Sequence, residues 1–240
     1  MKKLVIGNWK LNPETVAEAV ELAKSTDISG VVLCPPDIFL IQVGEVIKEA
    51  SLGAQDLFWK DAAAVNGEAS AAQLKQIGVR YVIVGHSSRR KELKETDELI
   101  NLKVKAALTA KLKVILCVGE DLNIHKQGET ATRTFVLQQL KKDLAGVNGR
   151  ENLIVAYEPV WSISTSGTGL ADTPEGAATV IGYIKRELSK IGFDKVPVLY
   201  GGSVDSKTAK GFFLEDIIDG VLVGKASLDV EEFKQIISLA

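Results

Sequence analysis

Short runs of β-branched and other apolar residues recur along the whole chain, at 4–7, 30–34, 52–55, 81–85, 114–118, 153–156, 196–200 and 220–223. Each is nearly continuous in apolar residues where a half-exposed strand would alternate. Continuity of this kind predicts parallel strands covered on both faces. Between them lie segments of helical periodicity. Residues 13–25 open with Pro13 and Glu14 and carry Val16, Val20 and Leu22 towards one side; residues 96–112 place Leu99, Leu102, Val104 and Leu108 at helical spacing. Asp172, Thr173, Pro174 and Glu175 form a start signal before a helix at 176–191, and 230–239 is a last amphipathic helix. Residues 38–50 are ambiguous, because Gly44 interrupts them. Strand and helix alternate eight times with short connections and no change of composition, which predicts one domain over 1–240. Eight such units fit a closed eight-stranded parallel (β/α)8 barrel better than an open doubly wound sheet.

Composition narrows the function without choosing it. With 46% hydrophobic and 25% charged residues in 240, the chain has the make-up of an ordinary soluble globular protein. A formal charge of -2 and a pI near 5.8 give no electrostatic reason to expect nucleic acid or an acidic membrane. The apolar start is interrupted at Asn8, Trp9 and Lys10, too early for a signal-peptide core, and no later run reaches membrane-spanning length. Cys34 and Cys117 are far apart and belong to no CxxC pair, so both are expected as reduced thiols in a cytoplasmic protein. His86 and His125 lack metal-ligand spacing, so no metal site is expected.

In a (β/α)8 barrel the working residues sit where strands end and the following loops begin. Asn8 and Lys10 follow strand one as alternate residues of one side. His86 and Ser87 follow strand four, Glu158 follows strand six, Gly201, Gly202 and Ser203 follow strand seven, and Gly224 and Lys225 follow strand eight. The stretch NLIVAYEPVWSISTSGTG at 152–169 runs from an apolar strand through Glu158 into small residues, as a general base beneath a lid would require; a merely solvated strand-end carboxylate gives the same local pattern. His86, with Ser87 as a helix N-cap, suits a neutral imidazole that donates to a carbonyl, and equally suits a satisfied structural histidine. Gly201 and Gly202 ahead of a helix starting near Ser206 suit a phosphate cradle or a simple tight turn. His125 falls in a polar connection and is expected at the surface; Trp161 fits either a lid anchor or core. Arg89 and Arg90 have Glu95 and Asp97 as candidate partners.

The segments GNWKLN at 7–12, YVIVGHS at 81–87, ETDELIN at 95–101, KVILCVGE at 113–120, VAYEPVW at 155–161, LYGGSV at 199–204 and ASL at 226–228 occur together in one order and spacing. In these the chain resembles the triosephosphate isomerase family over essentially its full length. The resemblance implies interconversion of dihydroxyacetone phosphate and glyceraldehyde 3-phosphate, without a cofactor, in glycolysis and gluconeogenesis. It makes Glu158 the base, His86 the neutral electrophile at the substrate oxygens, Asn8 the residue that orients it, and Lys10 the positive charge favouring substrate and enediolate. It assigns the phosphate to Ser164, Gly202, Ser203, Gly224 and Lys225, the lid to 159–169, and a homodimer contact to the loop from Asp56 to Glu68.

Several positions depart from the family pattern, among them Gly167 for a lid lysine and Asn66 and Val65 for the usual tip residue of the dimer loop and the aromatic before it. Ser88 stands where the family has a glutamate that pairs with the lysine, Ser164 and Ser166 replace lid glycines, and Lys225 replaces the second glycine of a phosphate-binding pair. A Ser88 hydroxyl within reach of Lys10 would accept its hydrogen bond without supplying charge. The departures give the active enzyme an alternative: a weakened or non-catalytic dimeric relative that binds a phosphorylated ligand.

Overall fold

The computed structural model describes residues 3–163 and 167–240. Its centre is a closed barrel of eight parallel strands: β1 (Leu4–Asn8), β2 (Val31–Cys34), β3 (Ser51–Ala54), β4 (Tyr81–Val84), β5 (Lys113–Val118), β6 (Leu153–Tyr157), β7 (Val198–Tyr200) and β8 (Gly220–Val223). Each pairs with the next, and β8 returns to β1 with Leu4 opposite Gly220. All eight expected runs are strands, with ends moved by a residue or two. β7 begins at Val198 instead of Val196, immediately after Pro197, which has no N–H to give to a ladder.

The continuous apolar runs have the expected cause. One face of each strand fills the barrel, where Ile6, Val32, Ile83, Ile115, Ile154, Leu199 and Leu222 form an inner cluster. The other face, Val5, Val82, Val114, Val155 and Val221 among them, packs against the helical layer. Alternation then decides which polar residues reach the mouth: Asn8, two positions after Ile6, shares its inward side.

The helices begin where side chains satisfy the first free N–H groups. In α1 (Val16–Ser25) Thr15 and Glu18 form a reciprocal capping box, so Pro13 and Glu14 precede the helix instead of opening it. The ambiguous 38–50 stretch is shorter than expected, a 3-10 turn at Asp37–Phe39 followed by α2 (Leu40–Val46); a Cβ on Gly44 would lie 3.1 Å from Leu52, so the glycine permits close packing on β3. Next come α3 (Ala71–Gln76), α4 (Ser87–Glu92) and α5 (Asp97–Thr109), then α6 (Leu122–His125) and α7 (Glu129–Asp143). Thr173 caps α8 (Pro174–Lys190), which begins at Pro174, inside the expected start signal and two residues before the expected helix. α9 (Ala209–Leu214) starts later than Ser206, because the Asp205 carboxylate accepts the N–H groups of Lys207 and Thr208 and folds those residues into a turn. α10 (Val230–Ser238) closes the chain with Asp229 as its cap.

The buried face of α5 also differs from the periodicity. Leu102 is 43% exposed, while Asn101 and Lys103 turn inward with Ile100, Val104, Ala107 and Leu108. Lys103 is buried because its ammonium is paired: it lies 2.6 and 2.8 Å from the two oxygens of Asp56 and 2.5 Å from Glu95.

Candidate active site

Around the C-terminal ends of the strands lies a cavity of about 430 Å³ lined by Asn8, Lys10, His86, Glu158, Gly201, Gly202, Ser203, Gly224 and Lys225, together with Ile163 and several acids from the last two loops. Eight of the nine expected site residues therefore face one space, with Gly201 beside them. Ser164, the ninth, lies outside the described residues, as does Ser166.

Lys10 is fixed from two sides. Its backbone takes the left-handed conformation, φ 55°, uncommon for a residue with a Cβ. Its N–H donates to Asn8 Oδ1 at 3.1 Å, and its carbonyl accepts from Gln55 Nε2 at 2.7 Å; the same amide also donates to Cys34 O at 3.0 Å. The side chain reaches across to β8, its Nζ 3.9 Å from where a Cβ on Gly224 would stand. Gln55, directly after β3, was not among the expected site residues, because the expected run at 52–55 counted it inside the strand.

Glu158 is the first residue beyond β6 and only 2% exposed. Its Oε2 accepts the Ser87 N–H at 3.0 Å, and its Oε1 lies 3.2 Å from His86 Nε2. Two glycines make the room: a Cβ on Gly119 would stand 1.8 Å from the Glu158 carbonyl oxygen, and one on Gly201 2.9 Å from Glu158 Cγ. No side chain fits at the first of these positions without moving the strand end that carries the carboxylate.

The expected N-cap of α4, Ser87, is already helical; the cap is His86 itself, whose Nδ1 accepts the Ser88 N–H at 3.2 Å. Because Nδ1 accepts a hydrogen bond, the neutral ring carries its proton on Nε2, facing Glu158. Burial holds the His86 pKa below its ordinary 6.5; Lys10 and Arg89 push the same way and Glu158 opposes them. The ring is therefore neutral near pH 7. The unfolded chain takes up a proton near pH 6.5 that the folded chain refuses, so stability falls as the pH drops through this value, by at most about 1.4 kcal/mol per pH unit. His86→Gln is expected to remove that component, and urea unfolding at pH 5 and pH 7 measures it. An unchanged pH dependence in the variant would contradict a neutral, buried His86.

In the loop after β7 Gly202 is required by close contact, since its Cβ would stand 2.2 Å from Tyr200 Oη and 2.6 Å from Ser162 Oγ. Ser203 Oγ donates to Ser162 O at 2.6 Å, joining the loop after β7 to the segment after Glu158. A 3-10 turn, Lys225–Leu228, follows Gly224, and its first N–H groups have no acceptor within the turn. Lys225 lines the cavity while remaining exposed. The acids there are engaged by the protein: Asp205 by Lys207 and Thr208, Glu232 by Ser206, and Asp229 by the Glu232 N–H.

Behind the site, Trp161 is buried and donates from Nε1 to Glu120 Oε1 at 2.7 Å, while Tyr157 Oη lies 3.2 Å from both Glu120 oxygens. Burial raises the Glu120 pKa, and the bonds from Trp161 and Tyr157 oppose that rise. His125 lies at the surface, its side chain 42% exposed, but it is engaged. Its ring stacks on Trp161 at 3.8 Å, with Nδ1 3.5 Å from Glu120. Arg89 pairs with Asp56 and Glu95, each at 2.7 Å, and Arg90 with Asp97 and Asp143, each at 2.6 Å. Ser88 makes its hydrogen bond to His86 Nδ1 and not to Lys10.

A carboxylate, a neutral N–H donor and an ammonium around one small cavity can move a proton on a substrate while stabilising the oxyanion that results. A family model described as triosephosphate isomerase matches residues 3–240. The chain is 43% identical to the triosephosphate isomerase of Caldanaerobacter subterraneus subsp. tengcongensis, with 99% of each chain covered. It is 44% identical to that of Carboxydothermus hydrogenoformans over 98% of each, and 42% identical to one from a Synechococcus species over 98% of this chain and 96% of that one. With the match extending from the start of β1 to the last residue, the chain belongs to the triosephosphate isomerase family.

Proposed function

We propose that the protein interconverts dihydroxyacetone phosphate and D-glyceraldehyde 3-phosphate by proton transfer through an enediolate. The approach of Glu158 to His86 Nε2, 3.2 Å, within the cavity that Lys10 also lines, is the observation that carries this reading. Glu158 exchanges its bonds to Ser87 and His86 for the substrate and removes a proton from the carbon beside the carbonyl. The C–H electron pair moves into the new carbon–carbon double bond, and negative charge develops on the carbonyl oxygen. His86 Nε2–H and the Lys10 ammonium stabilise that charge, and Asn8 orients the donors. The proton returns to the neighbouring carbon, whose own hydroxyl proton passes by way of His86 Nε2 to the former carbonyl oxygen; this completes the isomerisation with no redox cofactor. Gly202, Ser203, Gly224 and Lys225 receive the phosphate, in keeping with their place along the cavity that Glu158 also lines. The roles of Ser164 and of a lid over 159–169 rest on the resemblance alone.

Assay of glyceraldehyde 3-phosphate isomerisation in the presence of a chelator and in deuterium oxide tests the proposal. Turnover with deuterium entering the product from solvent is expected; a purified, folded protein without turnover overturns it. The four groups of the proposed chemistry gather in one cavity, and no observation favours the non-catalytic alternative.

A homodimer through residues 56–68 belongs to the same proposal. Its support is the exposed Val65 in that loop and a separate cleft of about 310 Å³ beside Lys10, bordered by Leu11 and Leu93, which are 88% and 60% exposed. Sedimentation at twice the 25.8 kDa chain mass is expected, and a 25.8 kDa species at micromolar concentration contradicts it. We also infer a cytoplasmic location, supported by Cys34 and Cys117 being buried free thiols. No helix among the described residues is long and apolar enough to cross a membrane.

A further inference from the structure

His86 Nδ1 has two neighbours. The Ser88 N–H lies 3.2 Å away and the Ser88 hydroxyl oxygen 2.8 Å away. A backbone N–H only donates, so a proton on Nδ1 would set two N–H groups head to head; this disfavours both the other neutral tautomer and the imidazolium. With Nδ1 fixed as an acceptor, the hydroxyl is the donor. Of the two bonds the hydroxyl's is the shorter, and it draws electron density from the ring nitrogen opposite Nε2–H. A ring polarised in this way gives up more of its Nε2 proton to a developing oxyanion.

We propose that Ser88 is a positioning residue for the reaction: its hydroxyl donates to His86 Nδ1, holds the ring as the Nε2–H tautomer and strengthens that N–H as a donor to the substrate oxygen. The inference rests on the proposed role of His86 as electrophile. It gives Ser88 a function that an ionised carboxylate at the same position cannot perform, because a carboxylate only accepts. The charged groups that bear on the ring are Glu158, Lys10 and Arg89, and none of them is altered by a change at Ser88.

The test compares the full chain with its Ser88→Ala, Ser88→Thr and His86→Gln variants, by steady-state kinetics and by ring ¹⁵N spectra. The sequence has two histidines, so His125 serves as an internal reference. In the unaltered protein His86 is expected to show a protonated Nε2 and an accepting Nδ1 across pH 6–9. Ser88→Ala is expected to lower kcat about tenfold, to leave KM within twofold, and to make His86 protonate at higher pH; Ser88→Thr, which keeps the hydroxyl, restores both. A protonated Nδ1 in the unaltered protein, a kcat within twofold in Ser88→Ala, or an equal loss in folded Ser88→Thr each overturns the proposal. If His86→Gln is severely impaired while Ser88→Ala is not, the role of Ser88 alone fails. If His86→Gln keeps full activity, the reading of His86 fails with it.

Discussion

Glu158→Gln is expected to lower kcat for triose phosphate isomerisation by about 10²–10⁴-fold, the usual contribution of a positioned general base. The substitution removes the base while changing the shape of the side chain very little, and the fold is expected to persist. It is not silent in the resting site. Both present neighbours of the carboxylate are donors, the Ser87 N–H at 3.0 Å and His86 Nε2 at 3.2 Å. A glutamine has one acceptor oxygen, so its amide N–H₂ must face one of those donors, and the head group turns or the ring shifts. The discriminating measurement pairs turnover with affinity for a phosphate-bearing analogue. Lost turnover with retained affinity fits the assignment; a kcat within tenfold of the unaltered protein removes Glu158 from the role of base.

Lys103→Met is expected to destabilise the protein by about 3–5 kcal/mol, the cost of breaking a buried ion pair from one side. Lys103 is 2% exposed, and its ammonium sits between Asp56 and Glu95. Without it the two buried carboxylates are left to Arg89, at 2.7 Å from each, among the described residues. Replacing the whole network with apolar residues would be far milder, because the penalty comes from the charges left behind. The loss carries a pH signature. Burial already raises the Asp56 pKa to about 6, against the pull of Lys103. A carboxyl raised in the folded state holds its proton where the unfolded chain has lost it, so stability falls as pH rises from about 4 to beyond 6. Removing the ammonium widens that window upward, and the deficit of the variant is expected to be smaller at pH 5 than at pH 8 in urea unfolding. An equal deficit at both values would mean that the carboxylates do not carry the cost.

These two residues mark how far the sequence could be read. Glu158 was legible because a strand buried on both faces announces itself by continuous apolar residues, and its end is then a place in the barrel. The same reasoning located Asn8, Lys10, His86 and the two glycine loops. Lys103 was not legible, because hydrophobic periodicity counts Leu102 as an inward residue and cannot see that a lysine is paired with an aspartate 47 positions earlier. Glu120 and His125 were missed as partners of Trp161 for a related reason. Their roles come from a stack and a hydrogen bond across loops, and no local spacing encodes either. Ser88 was recognised as a departure, but its partner was expected to be Lys10 and is the ring of His86; rotamer and backbone decide between such neighbours, and composition does not.

The cap of α4 ties the chemistry to the scaffold. The imidazole of His86 accepts the Ser88 N–H, and its carbonyl accepts those of Arg89 and Arg90, so the helix begins on the very residue that donates into the cavity. Arg89 and Arg90 extend from that helix to Asp56, Glu95, Asp97 and Asp143, on three other parts of the barrel. A proton reaching Nδ1 would take away the cap while leaving Nε2–H in place. Acid inactivation then includes a loosening of the helix that carries the arginine anchors, and faster amide exchange at Ser88 would accompany the fall in rate.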